Sequence, residues 1–324
     1  MENCCTAVVT PMKNGKIDVD AFDRLIEFQV QNGVQDIVVN GTTGESPTTS
    51  DEEKANLIRH ALDKKANVIA GCGTNSTEHS EHLTREAQAL GSNRILLVDC
   101  YYNGPSSMEL SREYYGYLCE KFPDLAFVAY VIPGRTGCEL SVEDLVVLHN
   151  RYPNLDTVKE ATGNLERMRK TRSLSNITIM SGDDDLTYNI MSDPAIGGKG
   201  VISVMSNIAP RAIQDFCKVV NNHELGAESL AKILSSLFSL VTVKLAGQKF
   251  RNPVPIKTAM AGLGMIAYDV RRPLGRMTKD ATTHVRNMLR TIWQNSPSIL
   301  EPIEKFYGVS IEDRLANDSY WPSY

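Results

Sequence analysis

The stretch LDTVKEATG (155–163) puts Lys159 inside a run that otherwise reads as a buried strand. An ammonium taken out of water is costly unless it is paired, and lysine is among the residues least often fully buried. A salt bridge to the adjacent Glu160 is a poor explanation, because neighbours on a strand point to opposite faces. Two readings remain, a structural lysine or a nucleophile. Burial favours the neutral amine of a lysine, which can attack a carbonyl carbon and form a Schiff base. The iminium then draws electrons towards nitrogen, the neighbouring carbon loses a proton, and the resulting enamine can attack an aldehyde.

Such chemistry needs proton carriers and groups that hold anions. Tyr130 ends the apolar run preceding VIPGRTG, on what would be the strand next to Lys159. Its phenol can carry protons if a hydroxyl relays them, and Thr42 is the candidate relay. A plain core or rim aromatic is the alternative. Thr42 and Thr43 lie between Gly41 and Gly44, so amides and hydroxyls of that turn could grip a small carboxylate; an ordinary glycine turn is the alternative. Arg135, just beyond Pro133, offers a planar guanidinium to a second carboxylate, or a rim salt bridge to the acidic run at 183–185. That run reads as turn and helix-cap chemistry. No metal site is expected. His79 and His82 in HSEH read as a solvated helix face, and a metal pair there would need further ligands. The seven cysteines are scattered without paired spacing and read as reduced thiols; Cys138, near the site, has no histidine close in sequence to activate it.

These residues must be positioned by something. Short β-branched runs at 6–9, 36–40, 67–71, 94–99, 126–132, 156–161, 177–182 and 200–204 alternate with longer amphipathic segments. Their near-continuous apolar character is what parallel strands covered by helices require. Asp18 before Phe22, Leu25 and Ile26 starts one helix, with Gly33 as its stop, and Ser50 with Glu53 forms a capping box for another. Eight such units predict an α/β fold, a (β/α)8 TIM barrel, in which active residues gather at the carboxyl ends of strands. The polar residues above fall at those ends. From about 209 the strand signal disappears, and 229–247 and 256–267 read as helical. The expected division is a barrel over 1–225 and a C-terminal helical extension with a tail over 226–324.

A formal net charge of −5 and no dense Lys/Arg run give no footprint for a nucleic-acid backbone. No apolar run approaches the ~20 residues of a membrane span, and the first residues lack a cationic leader, so a cytoplasmic location is expected.

Taken jointly, GTTGES (41–46), YYN (101–103), Tyr130 with PGRTG (133–137), KEATGN (159–164), SGDD (181–184), GGKGVISV (197–204), NPVPIK (252–257) and VRRPL (270–274) resemble the dihydrodipicolinate synthase and N-acetylneuraminate lyase family of pyruvate-dependent class I aldolases. The match runs to about residue 295. The resemblance implies that Lys159 forms the imine with pyruvate and that Tyr130 and Thr42 belong to a proton relay. Its third member, Tyr102, would come from the neighbouring subunit, which implies a homo-oligomer, dimer or tetramer. Thr42, Thr43, Gly182 and the Ile202 carbonyl would surround pyruvate. Arg135 matches the position that holds the carboxylate of aspartate semialdehyde in the synthase branch. No metal or organic cofactor is implied. The rival readings are a lyase or aldolase acting on a longer 2-keto acid and a catalytically idle metabolite-binding relative. The sequence departs from the family at YVIP, where Val131 replaces asparagine, and at DCYYN. In lysine-inhibited members an interface site uses positions matching Ser46, Asn75 and Tyr101, retained here; its histidine positions carry Asp51 and Lys54, and its glutamate position carries His79.

Overall fold

The computed structural model describes all 324 residues. Eight parallel strands close into a barrel in chain order: β1 (Asn3–Ala7), β2 (Asp36–Val39), β3 (Asn67–Gly71), β4 (Arg94–Val98), β5 (Ala126–Val131), β6 (Leu155–Glu160), β7 (Thr178–Ser181) and β8 (Gly200–Ser203). Strand β1 pairs with both β8 and β2, which closes the ring. Alternation along each strand divides the apolar side chains between two cores. Cys5, Val38, Leu96, Val128, Met180 and Ile202 belong to a small inner cluster, whereas the opposite faces join the surrounding helices in a cluster of 75 residues. Both faces are buried, so the strands show no polar side.

The predicted barrel is therefore the observed one, with its largest shift at the first strand. The first strand was expected at 6–9 and lies at Asn3–Ala7, because Asn3 to Thr6 pair with Gly200 to Ser203. Pairing register, more than apolarity, sets its ends. Asp18 caps helix Val19–Gln31 by accepting from the Ala21 amide, and the Ser50–Glu53 capping box opens helix Asp51–Asp63.

The C-terminal region is less helical than its sequence predicts. The expected helix over 229–247 stops at Phe238, and a short antiparallel hairpin follows, β9 (Thr242–Leu245) and β10 (Gln248–Arg251). Its two-residue connection, Ala246 and Gly247, has positive φ at both positions, 49° and 76°, the geometry that matches strand twist in a tight hairpin. β-Branched Thr242 and Val243 suit the first strand of the hairpin, and the turn two residues further on ends the helical period. The helix expected over 256–267 spans Val254–Gly262. Residues 225 and 226 fall in the turn between helices Pro210–Asn221 and Ala227–Phe238. Helices Glu301–Tyr307 and Ile311–Ala316 fold back onto the body, with Ile303, Ile311 and Leu315 buried in the large core. No helix is long and apolar enough to cross a membrane.

Candidate active site

Strand β6 presents its neighbours to opposite environments. Glu160 faces outward and is fully buried, where its carboxylate takes the Arg167 Nε at 3.0 and 3.3 Å. Burial raises the Glu160 pKa despite that guanidinium. Lys159 faces the barrel interior. It is 6% exposed, sits in register with Tyr130 of β5 and Met180 of β7, and holds its Nζ 4.1 Å from the centroid of the Tyr130 ring. No carboxylate lies within ion-pair distance of that nitrogen; Glu160 is committed to Arg167 instead. The contact that holds the amine is the aromatic face, worth up to about 2 kcal/mol to an ammonium in a desolvated setting.

Tyr130 is 5% exposed and crowns the inner barrel cluster. It also lines a cavity of about 510 Å³ whose inner wall includes Gly41, Thr42, Leu96, Val98 and Arg135. Lys159 does not itself line this space; it packs against the Tyr130 ring, which does. Thr42 is half-buried on the cavity wall, and no hydrogen bond joins its hydroxyl to Tyr130. Thr43 is buried, and its hydroxyl accepts from the Asn252 side-chain amide at 2.8 Å. The turn carrying both threonines closes through Gly44 N to Gly41 O at 3.1 Å and is tied to β1's loop by the Thr10 hydroxyl on Gly44 O at 2.7 Å.

Arg135 sits on the short helical turn Pro133–Thr136. The rim salt bridge considered from sequence does not form: its guanidinium donates to the Asn252 carbonyl at 3.2 Å and meets no carboxylate. Asp184 instead caps the start of the turn after β8, accepting from the Ser203 hydroxyl and from the Val204 and Met205 amides at 2.9 and 3.3 Å. Burial pushes both Asp183 and Asp184 up to about 6.

Gly182 directly follows β7, and Ile202 is the third residue of β8. The Gly182 amide donates to Glu160 O at 2.6 Å, and a Cβ there would come within 2.6 Å of the Ala161 methyl, so close strand approach alone requires glycine. Ile202 is buried in the inner cluster opposite Cys5. Tyr102 lies apart from all of these. It is 87% exposed, with a left-handed φ of 84°.

The cavity continues outward past Ser46, Asn75 and Tyr101 to Asp51, Lys54 and His79. Here His79 Nε2 lies 3.0 and 3.1 Å from the two Asp51 oxygens, and His82 approaches the same carboxylate at 3.8 Å. Burial works against the Asp51 carboxylate, but His79 and Lys54 outweigh it and its pKa falls. Cys138 donates to Cys100 O at 3.3 Å, and burial pushes its thiol up to about 11, away from thiolate chemistry.

Glu45, Asn252, Lys257 and Arg271, which sequence reasoning held only as members of longer motifs with no role of their own, brace this site from behind. The signal for Lys257 was present, since a lysine in the apolar run VPIKTAMAG raises the same question as Lys159. Its side chain is fully buried against Glu45 at 2.5 Å.

The family model of the dihydrodipicolinate synthetase family matches residues 1–292. The chain is 38% identical over 290 residues to a 4-hydroxy-tetrahydrodipicolinate synthase of Hydrogenobaculum sp., covering 88% of this chain and 96% of the relative. It is 39% identical to the enzyme of the same name from Sulfurihydrogenibium sp., with the same coverage of both. Among solved structures, dihydrodipicolinate synthase from Thermotoga maritima superposes with a TM-score of 0.84 at 34% identity, covering 90% of this chain and 98% of that one. A monomeric dihydrodipicolinate synthase variant gives the same TM-score and identity, with coverage of 90% and 97%.

Proposed function

Because the chain belongs to the dihydrodipicolinate synthetase family, we propose that it acts as a 4-hydroxy-tetrahydrodipicolinate synthase, condensing pyruvate with L-aspartate 4-semialdehyde in the lysine and diaminopimelate route. The Lys159 amine attacks the pyruvate ketone carbon, and the carbinolamine loses water to give the iminium. The pyruvate methyl then gives up a proton and the enamine carbon attacks the semialdehyde. Attack of the semialdehyde's own amine on the iminium carbon closes the ring and frees Lys159. Tyr130, against the nitrogen and on the cavity wall, is the proton carrier, with Thr42 on the same wall as its relay. Thr42 and Thr43 hold the keto-acid carboxylate, beside Gly182 and the Ile202 carbonyl. Arg135, which has no anionic partner of its own, takes the carboxylate of the second substrate.

One observation carries this reading: a buried lysine nitrogen inside the barrel, facing an aromatic ring and no acid. The test is borohydride reduction in the presence of pyruvate, followed by intact mass. The parent chain gains one reduced pyruvate, and Lys159→Ala gains none and loses at least about 10³-fold in turnover. Arg135→Ala keeps the adduct while its KM for the aldehyde rises by about 10–10²-fold, the range of a lost charge-assisted contact. A parent chain that stays unmodified would overturn the proposal.

A further inference from the structure

The turn that carries Thr42 and Thr43 ends at Glu45, whose backbone is left-handed, with φ of 58°. That conformation is unfavourable for a residue with a Cβ and persists only where the surroundings over-determine it. Here they do. One Glu45 carboxylate oxygen lies 2.5 Å from Lys257 Nζ, and the other accepts from the Arg271 amide at 3.0 Å. Both partners are more than 200 residues away in sequence and lie outside the barrel. Lys257 belongs to helix Val254–Gly262, and the Arg271 guanidinium is in turn anchored on Glu53 at 2.6 Å and on Thr48 O at 2.8 Å. Neither Glu45 nor Lys257 lines the cavity, and both side chains are fully buried. A buried ion pair is weak evidence for stability, because apolar residues of the same volume often serve a fold as well or better. What it does in this fold is geometric: it joins the turn carrying Thr42 and Thr43 to helix Val254–Gly262.

We infer that Glu45 and Lys257 are positioning residues: the buried pair fixes the 41–46 turn so that Thr42 and Thr43 grip the keto-acid carboxylate. This rests on the reading of those threonines as the carboxylate grip. The discriminating variant is Glu45→Gln with Lys257→Met in the full-length chain, which removes both charges and leaves no unpaired one buried.

Two quantities are read, the pyruvate KM against kcat and the melting temperature. The double variant keeps kcat at saturating pyruvate within about threefold of the parent while its pyruvate KM rises about tenfold. Lys257→Met alone, which leaves a buried carboxylate unpaired, shows the raised KM together with a lowered melting temperature. The melting temperature recovers in the double variant and the KM does not. If KM follows the melting temperature back to the parent value, or never rises, the pair is merely structural and the inference falls. Thr43→Val separates the underlying reading. An unchanged pyruvate KM in that variant sinks the threonine assignment itself, whereas a raised KM there with an unchanged KM in the double variant sinks only the role of the pair.

Discussion

At the scale of single residues, Lys159 and Glu160 show how far one peptide unit can separate two charges. One nitrogen ends against a phenol ring inside the barrel, and the next carboxylate ends in a buried pair with Arg167 outside it. Asp99, at the end of β4, is a third buried charge with a different consequence. It accepts from the Tyr115 hydroxyl at 2.7 Å and the Leu140 amide at 3.3 Å, and burial pushes its carboxyl from 3.8 up to about 7 against those two hydrogen bonds. The folded chain thus binds more protons here than the unfolded chain between about pH 4 and pH 7. Stability from this group is present at low pH, falls as pH rises through that window and is flat above it, a difference of roughly 4 kcal/mol for a shift of this size. Asp99→Asn keeps the acceptor for Tyr115 and removes the titration. Its melting temperature should fall less than the parent's between pH 5.5 and 7.5, and parallel curves for the two chains would count against the assignment.

At the scale of elements, the strands were legible because burial on both faces leaves a period-free apolar run, and the capping residues Asp18 and Ser50 fixed two helix starts through local hydrogen bonds. The β9–β10 hairpin was not legible. SLFSLVTV carries apolar residues that satisfy a helical period as well as a strand, and the decision falls to the two positive-φ residues after Leu245. Hairpin and helix Val254–Gly262 matter to the site through their junction. Asn252 there accepts from Arg135 and donates to Thr43, joining the regions proposed to hold the two carboxylates.

At the scale of the whole molecule, the chain extends beyond the matched family region, which ends at residue 292. This last segment is bound to the body by specific contacts. Arg314 donates to Ala261 O and Gly262 O at 2.7 and 2.8 Å, completing the end of the helix that carries Lys257, and Trp321 covers Gly262 so closely that a Cβ there would meet its ring at 2.5 Å. Replacing a buried tryptophan by alanine costs about 3–5 kcal/mol. Trp321→Ala should therefore melt several degrees below the parent, and an unchanged melting temperature would show the tail to be idle.

Tyr102 belongs to the same scale. An exposed phenol on strained backbone is a feature a partner could use, and strain of this kind gathers at functional sites. If it completes the site of a second copy, co-expressing Lys159→Ala with Tyr102→Phe restores activity, up to about a quarter of the parent level in randomly mixed dimers, since the Lys159→Ala copy supplies the phenol. Two inactive variants that stay inactive together would confine Tyr102 to its own chain.

The sequence by itself determined the barrel, its helix starts and the identity of the unusual lysine, because strand burial, capping and the cost of a lone ammonium are local quantities carried by residue type and spacing. Only the tertiary structure decided that Lys159 faces a ring and not an acid, that Arg135 is free of the aspartate run, and that Lys257 and Arg271 reach back to Glu45. Those outcomes depend on which distant groups meet once the ring closes, and neither period nor composition encodes the partner of a buried charge.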